Sequence, residues 1–188
     1  MKKTDSARDS LCLYKIDASD RIVEVDESWD RFALANQGTA MASKQVLGRE
    51  LWQFITGEES LQIYRSLVDR VRGQKVAARF YFRCDAPECR RFMSMRIGLG
   101  ADRSVYFASR IERIEPRSAV SLLDSAIVRD RRMVTVCSWC KAVKCESRWL
   151  PVEEAVERLG LFAQPSMPAL SHGICESCHT TMENQLHW

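Results

Sequence analysis

Two short apolar-polar runs open the chain. Leu11-Cys12-Leu13-Tyr14-Lys15-Ile16 and Arg21-Ile22-Val23-Glu24-Val25 are β-prone, and Asp17-Ala18-Ser19-Asp20 between them supplies turn residues, which predicts a hairpin. Asp26 then stands where a helix over about 27–37 needs a cap. That helix would carry Trp29, Phe32, Ala33 and Asn36 on one face, with Gly38 past its end. Residues 38–43 are small and polar, a loop, and residues 46–55 read as short helical turns. Thr56 and Glu59, three apart, fit a capping box for a longer helix. Leu61, Tyr64, Leu67, Val68 and Val71 follow at helical spacing, and Gly73 is placed to end it.

Period two then returns. Residues 76–84 set Phe80, Phe82 and Cys84 against Arg79, Tyr81 and Arg83. Residues 92–99 align Met93, Met95, Ile97 and Leu99, and residues 104–111 align Val105, Phe107 and Ile111. Such alternation predicts an antiparallel sheet with one face covered. Residues 85–89 read as a hairpin loop. Pro116 marks a break, after which Val120, Leu123 and Ile127 predict a short helix near 118–130.

The last quarter changes character. Cys137-Ser138-Trp139-Cys140 is answered by Cys175-Glu176-Ser177-Cys178. A two-residue spacer lets both sulfurs of a pair turn toward one point, and two such pairs can set four thiolates at the corners of a tetrahedron. That is the donor set of a structural Zn²⁺, with no position left for a reacting water. A strand is expected to run into the first pair and a helix to occupy residues 149–160. A final helix from His179 to about Leu186 would bring its N-terminal dipole to the last ligand. His172, three residues before Cys175, is the rival ligand or a hydrogen-bonding neighbour of the site, and Cys145 is a possible substitute in the first pair. A bound metal would offset the small core of so short a module.

Hydrophobic residues make up 46% and charged residues 28%, which fits a globular protein with room for one medium and one small domain. No apolar run is long enough to span a membrane, and no signal peptide is visible behind Lys2 and Lys3, so cytoplasmic residence with reduced cysteines is expected. The net charge of +3 is uneven. Residues 1–132 hold 24 Lys and Arg against 19 Asp and Glu, whereas residues 133–188 hold 4 against 6. Four thiolates and a zinc ion would add −2 to the acidic side, so the cysteine module lacks the charge of a phosphate-binding surface.

Two strands, several short helices, one longer helix and three antiparallel strands make an order that resembles a PAS domain over residues 11–113. The strings Ile16-Asp17-Ala18-Ser19-Asp20-Arg21-Ile22-Val23-Glu24-Val25-Asp26 and Val46-Leu47-Gly48-Arg49-Glu50-Leu51-Trp52 carry that resemblance. Residues 114–132 would form a helical linker, and residues 133–188 a module similar to zinc-ribbon or treble-clef units appended to small bacterial signalling proteins. The fold class expected is therefore α+β: a PAS-like five-stranded antiparallel sheet with helices on one face, followed by a zinc-stabilised module.

Members of the PAS family are mostly sensory or partner-binding modules. Their central cavity holds haem, flavin, a small organic ligand, or only side chains. Here His172, His179 and His187 all lie outside the domain, so a histidine-ligated haem is not expected, and the Asn-Cys-Arg-Phe string of photoactive flavin-binding members is absent. Trp52, Tyr64, Phe80, Phe82, Met95 and Phe107 are the candidate ligand pocket, a filled core being the plainer reading. Cys12, Cys84, Cys89, Met93 and Met95 are conceivable soft ligands for haem or copper, and Cys84 with Cys89 a conceivable redox pair. Ordinary core packing is the plainer reading for all five.

Three functions follow. The first is a signalling or regulatory protein whose PAS domain takes a small ligand or partner and whose zinc module contacts a protein partner or a second copy of the chain. The alternative is a nucleic-acid-binding regulator using Arg129, Arg131, Arg132, Lys141, Lys144 and Arg148, around the first cysteine pair. A thiol-redox protein comes third. No Ser-His-Asp string, Gly-rich phosphate loop or open metal motif is present, so no catalytic activity is expected.

Overall fold

A computed structural model describes residues 11–35, 38–162 and 164–186. Strands β1 (Leu11–Ile16) and β2 (Ile22–Val25) form the expected hairpin. Asp17 closes its turn, its Oδ1 accepting from the Ser19 and Arg21 amides at 2.8 and 2.9 Å, while Asp20 takes a left-handed φ of 64°. Asp26 caps α1 (Glu27–Ala35) through its Oδ1 and the Trp29 amide at 3.1 Å. Asn36, expected on this helix, lies outside the described residues.

Short turns lead through α2 (Ser43–Val46) to the long helix α3 (Glu58–Gln74), whose inward face carries Ile63, Leu67, Val68 and Val71. Both of its expected ends shift. Gly57, at φ 90°, takes the cap position without a side-chain bond, and Glu59 is drawn away to another partner, so the Thr56–Glu59 box does not form. The helix passes through Gly73 and ends at Lys75, which supplies the left-handed residue at φ 59°.

Strands β3 (Ala78–Arg83), β4 (Cys89–Leu99) and β5 (Val105–Pro116) complete a five-stranded antiparallel sheet in the order β2-β1-β5-β4-β3. The alternation is as expected, with Phe80 buried and Tyr81 two-thirds exposed. Met93, Met95, Ile97, Val105, Phe107 and Ile111 are all buried. Only the hairpin loop is shorter than expected, because Cys89 already pairs with Pro116. The element order that the PAS resemblance implies is the order found.

The helix expected over 118–130 is absent. A single 3₁₀ turn at Ser121–Leu123 stands in its place, and β6 (Arg129–Cys137) has begun by residue 129. The reason is tertiary. The Val120 amide donates to the Pro87 carbonyl, and Leu122 is fully buried. Arg129 then gathers the carbonyls of Leu122 and Asp124, which a continuing helix would have withdrawn, together with that of Pro168.

β6 is the centre of a second sheet. It pairs antiparallel with β7 (Val143–Cys145), which pairs with β8 (Arg148–Leu150), and it pairs parallel with β9 (Met167–Gly173), giving the order β8-β7-β6-β9. Two more expectations are corrected here. Trp149 and Leu150 belong to a strand, so α4 spans only Val152–Arg158, after Pro151. Helix α5 (Glu176–Leu186) begins three residues earlier than His179. Among the described residues no helix is long and apolar enough to cross a membrane.

The two sheets are not independent beads. One apolar cluster joins Leu67, Phe80 and Phe107 of the first unit to Cys137, Trp139, Ile174, Cys175 and Met182 of the second. Helix α5 lies against α3 and β3, and the Arg70 guanidinium donates to the Gln185 carbonyl. A buried ionic knot ties the β3–β4 hairpin to α4. Arg117 stands 3.1 Å from both Asp85 and Glu153, and Arg83 also pairs with Asp85. A separate cluster of Val120, Leu122, Val136, Val143, Val152, Ala155 and Leu161 fills the second unit behind the cysteines.

Candidate metal centre

The backbone delivers four sulfurs from two directions. β6 ends at Cys137, whose amide donates to the Ala142 carbonyl at 2.7 Å while its own carbonyl accepts from the Lys141 amide at 3.1 Å. A left-handed Lys141, φ 62°, folds this turn so that Cys140 comes back beside Cys137. On the other side β9 ends at Gly173, and α5 places Cys175 just before its first residue and Cys178 within its first turn. The His179 amide donates to the Cys175 carbonyl at 2.9 Å, the first bond of that helix. The parallel pairing of β6 with β9 sets Cys137 opposite Gly173, bringing together pairs that are far apart in sequence.

The sulfurs of Cys137, Cys140, Cys175 and Cys178 all lie within 4.8 Å of one another, and Cys140 and Cys175 are 3.7 Å apart. A tetrahedron with zinc–sulfur bonds of about 2.3 Å has sulfur–sulfur edges of about 3.8 Å, so this spacing suits a four-thiolate metal site. The Cys175 amide donates to the Cys137 sulfur at 3.4 Å. Thiol donors at Cys140 and Cys178 and the amides of Cys140 and Cys175 hold Cys137 far below the usual thiol range. Cys140 is pushed up to about 11 chiefly by its hydrogen bond to Cys137, and Cys178 is raised further, by Cys137 and Cys140. Without a cation the cluster therefore favours negative charge on Cys137 and the protonated form of Cys140 and Cys178. A divalent ion would allow all four to ionise.

The remaining candidates fall elsewhere. His172 is exposed on β9, outside the four-sulfur group. Cys145 is buried in the second cluster, where desolvation raises its pKa. Cys84 and Cys89 are half-buried free thiols at the β3–β4 hairpin. Of the six basic residues, four have partners and Arg131 and Arg148 are exposed. Arg129 is spent on three carbonyls, Arg132 grips Asp130, Lys141 donates to the Ser138 carbonyl at 2.8 Å, and Lys144 sits 6.0 Å from the Trp149 ring centroid.

Trp139, between the first two cysteines, is the residue whose role the sequence hides. Its side chain is 3% exposed, stacked on Tyr64 at 5.8 Å between ring centroids and tilted against Phe80 at 6.4 Å. The Arg83 amide donates to its carbonyl at 2.6 Å, and Ser60 donates to the hydroxyl of Ser138 beside it at 2.9 Å. Glu59 completes the attachment, its carboxylate accepting from the Ile174 amide at 3.0 Å. The Nε1 of Trp139 is buried without a partner among the described residues, a cost of about 1–3 kcal/mol. A large aromatic ring in a module with little apolar mass was the available signal that this turn inserts into something else.

A cavity of about 320 Å³ opens at this seam, walled by Tyr14, Trp29, Phe54, Tyr64, Phe82 and Trp139 among others. Behind it an apolar chamber of about 240 Å³ shares Tyr14, Trp29, Met41, Phe82 and Cys84 as walls. Of the six pocket candidates, Tyr64 and Phe82 line the seam cavity. Phe80, Met95 and Phe107 are buried in the core, and Trp52 is held at the surface by Asp20 at 2.8 Å and covered by Arg65.

No family model matches the sequence, and no curated protein matches it either. Among solved structures, the chain is similar to a sensory box sensor histidine kinase from Vibrio cholerae, at 12% identity over 55% of this chain and 82% of that one, with a TM-score of 0.41. It is also similar to the photoactive yellow protein domain of a sensor histidine kinase from Rhodospirillum centenum, at 15% identity over 57% of this chain and 97% of that one, with a TM-score of 0.42.

Proposed function

We propose that this chain is a non-catalytic sensory or regulatory protein. In it a PAS-like domain takes a small ligand or partner, and a structural zinc ion held by Cys137, Cys140, Cys175 and Cys178 fixes a module that contacts another protein. The observation that carries this reading is the insertion of Trp139, from between two of the four cysteines, into the core of the five-stranded unit. A change in the ligand-binding core and a change in the metal turn then act on the same ring, so either unit can report the state of the other. Supporting a structural metal are the four-sulfur donor set and its spacing, which leave no coordination position for a substrate.

Native and denaturing mass spectra of protein purified without added metal test the reading. One zinc per chain, retained natively and lost on denaturation, is the expected result. Free or oxidised thiols with no metal would overturn it and bring thiol-redox chemistry forward.

A further inference from the structure

The seam cavity, as the outer end, and the chamber behind it, as the inner end, share five wall residues and differ in character. The inner end is apolar, lined by Cys12, Phe32 and Met93, and no charged side chain is among its walls. The outer end carries two cations, Arg83 and Lys141, and no carboxylate. Arg83 is neutralised by Asp85. Lys141 is not: its ammonium donates to the Ser138 carbonyl, and among the described residues no carboxylate pairs with it. The Ser138 hydroxyl accepts from Ser60 and keeps its own proton for an acceptor. Flat rings surround this space, and donors without acceptors gather at one mouth of it. A charge at the edge of such an apolar space attracts its counter-ion more strongly than a charge in open water.

We infer that the seam cavity binds a small aromatic acid, its ring lodged among the aromatic walls and its carboxylate at Lys141 and Ser138. The inference rests on the reading that the PAS-like core takes a ligand, and it adds the chemical class and the source of the specificity. That source is the cysteine module, because Ser138, Trp139 and Lys141 all belong to the metal turn. The site is complete only when the turn is folded against the sheet, so ligand binding and metal retention support each other.

The test uses the zinc-loaded full chain, with 2-naphthoate as probe and the uncharged 2-naphthylmethanol as control. Indole N–H resonances are followed by ¹⁵N NMR and assigned with Trp→Phe variants. Naphthoate should give saturable shifts at Trp29 and Trp139 and none at Trp149, and should bind at least about tenfold more tightly than the alcohol, as expected for a hydrogen bond to a charged group. Lys141→Met should abolish that preference and Lys141→Arg should retain it, with zinc content measured on every sample. Equal binding of acid and alcohol, or no saturable shift at millimolar naphthoate while one zinc remains bound, would overturn the inference and leave the metal reading standing. Absence of zinc from the purified wild-type chain would instead overturn the reading beneath it.

Discussion

Trp139→Ala would remove the ring through which the cysteine turn enters the core of the five-stranded unit. Replacing a buried aromatic by alanine costs about 3–5 kcal/mol, the range reflecting how far the site can collapse. Trp139 should fall near the lower end, about 3 kcal/mol, because its loss also deletes a buried N–H that has no partner. For a chain of this size 1 kcal/mol corresponds to roughly 2–4 °C, so the unfolding midpoint should drop by about 6–12 °C. Urea unfolding followed at once by far-ultraviolet circular dichroism and by zinc release to a chromophoric chelator separates the cases. With one shared core, both transitions move together in the variant. Trp139→Phe, which keeps a ring and removes the orphan donor, should lose under about 1 kcal/mol. A Trp139→Ala loss below about 1 kcal/mol, or a zinc-release transition that shifts while the bulk unfolding does not, would refute the single-core argument.

Other outcomes follow from the same geometry. Co²⁺ substituted into the site should give the visible bands of tetrahedral four-thiolate coordination, lost in Cys178→Ser and unchanged in His172→Ala; a changed spectrum in the histidine variant would make His172 a ligand. Because Cys140, at about 11, and Cys178 hold their protons in the metal-free cluster, binding should release at least two of them. Apparent metal affinity should therefore fall by at least about a hundredfold for each pH unit lost below neutrality, and a pH-independent affinity would contradict this. Arg117→Ala leaves the buried Asp85 with Arg83 as its remaining ionic partner and severs the link to Glu153, so stability should fall by about 3 kcal/mol in denaturant titration, where a loss below about 1 would show the knot to be dispensable. Gly57→Ala meets a φ of 90° and a Cβ placed 2.9 Å from the His172 carbonyl oxygen, so it should cost at least about 1–3 kcal/mol by the same assay. Wild-type stability in that variant would mean the seam between α3 and β9 is looser than described.

Local chemistry was legible in the chain. The period-two runs at 78–83 and 105–111 gave their strands because alternation leaves one way to hide Phe80, Val105 and Phe107 while Arg79 and Tyr106 face outward or stay half covered. Asp17 and Asp26 closed a turn and capped a helix as short acceptor side chains do. The four cysteines came together as their spacing implied. Signals whose partners lie far away were misread. Glu59 has the right offset for a capping box, yet it bonds the Ile174 amide 115 residues later. Val120, Leu123 and Ile127 have helical spacing, yet contacts to Pro87 and Arg129 leave the segment only a 3₁₀ turn. Residues 167–170 gave no strand signal because Pro168 interrupts them, although the edge position of β9 tolerates it.

By itself the sequence determined the kind of each unit: an antiparallel sheet with a long amphipathic helix, then a cysteine module able to enclose a metal. These follow from periodicity and from the fixed reach of a Cys-x-x-Cys turn, both properties of neighbouring residues. Only the tertiary structure decided that the two units share a core, that Trp139 is the ring joining them, and that Lys141 lines the aromatic-walled seam cavity with no carboxylate pairing with it among the described residues. Those facts depend on which surfaces meet across the β6–β9 pairing and along α5, and burial between distant segments leaves no periodic trace in the chain.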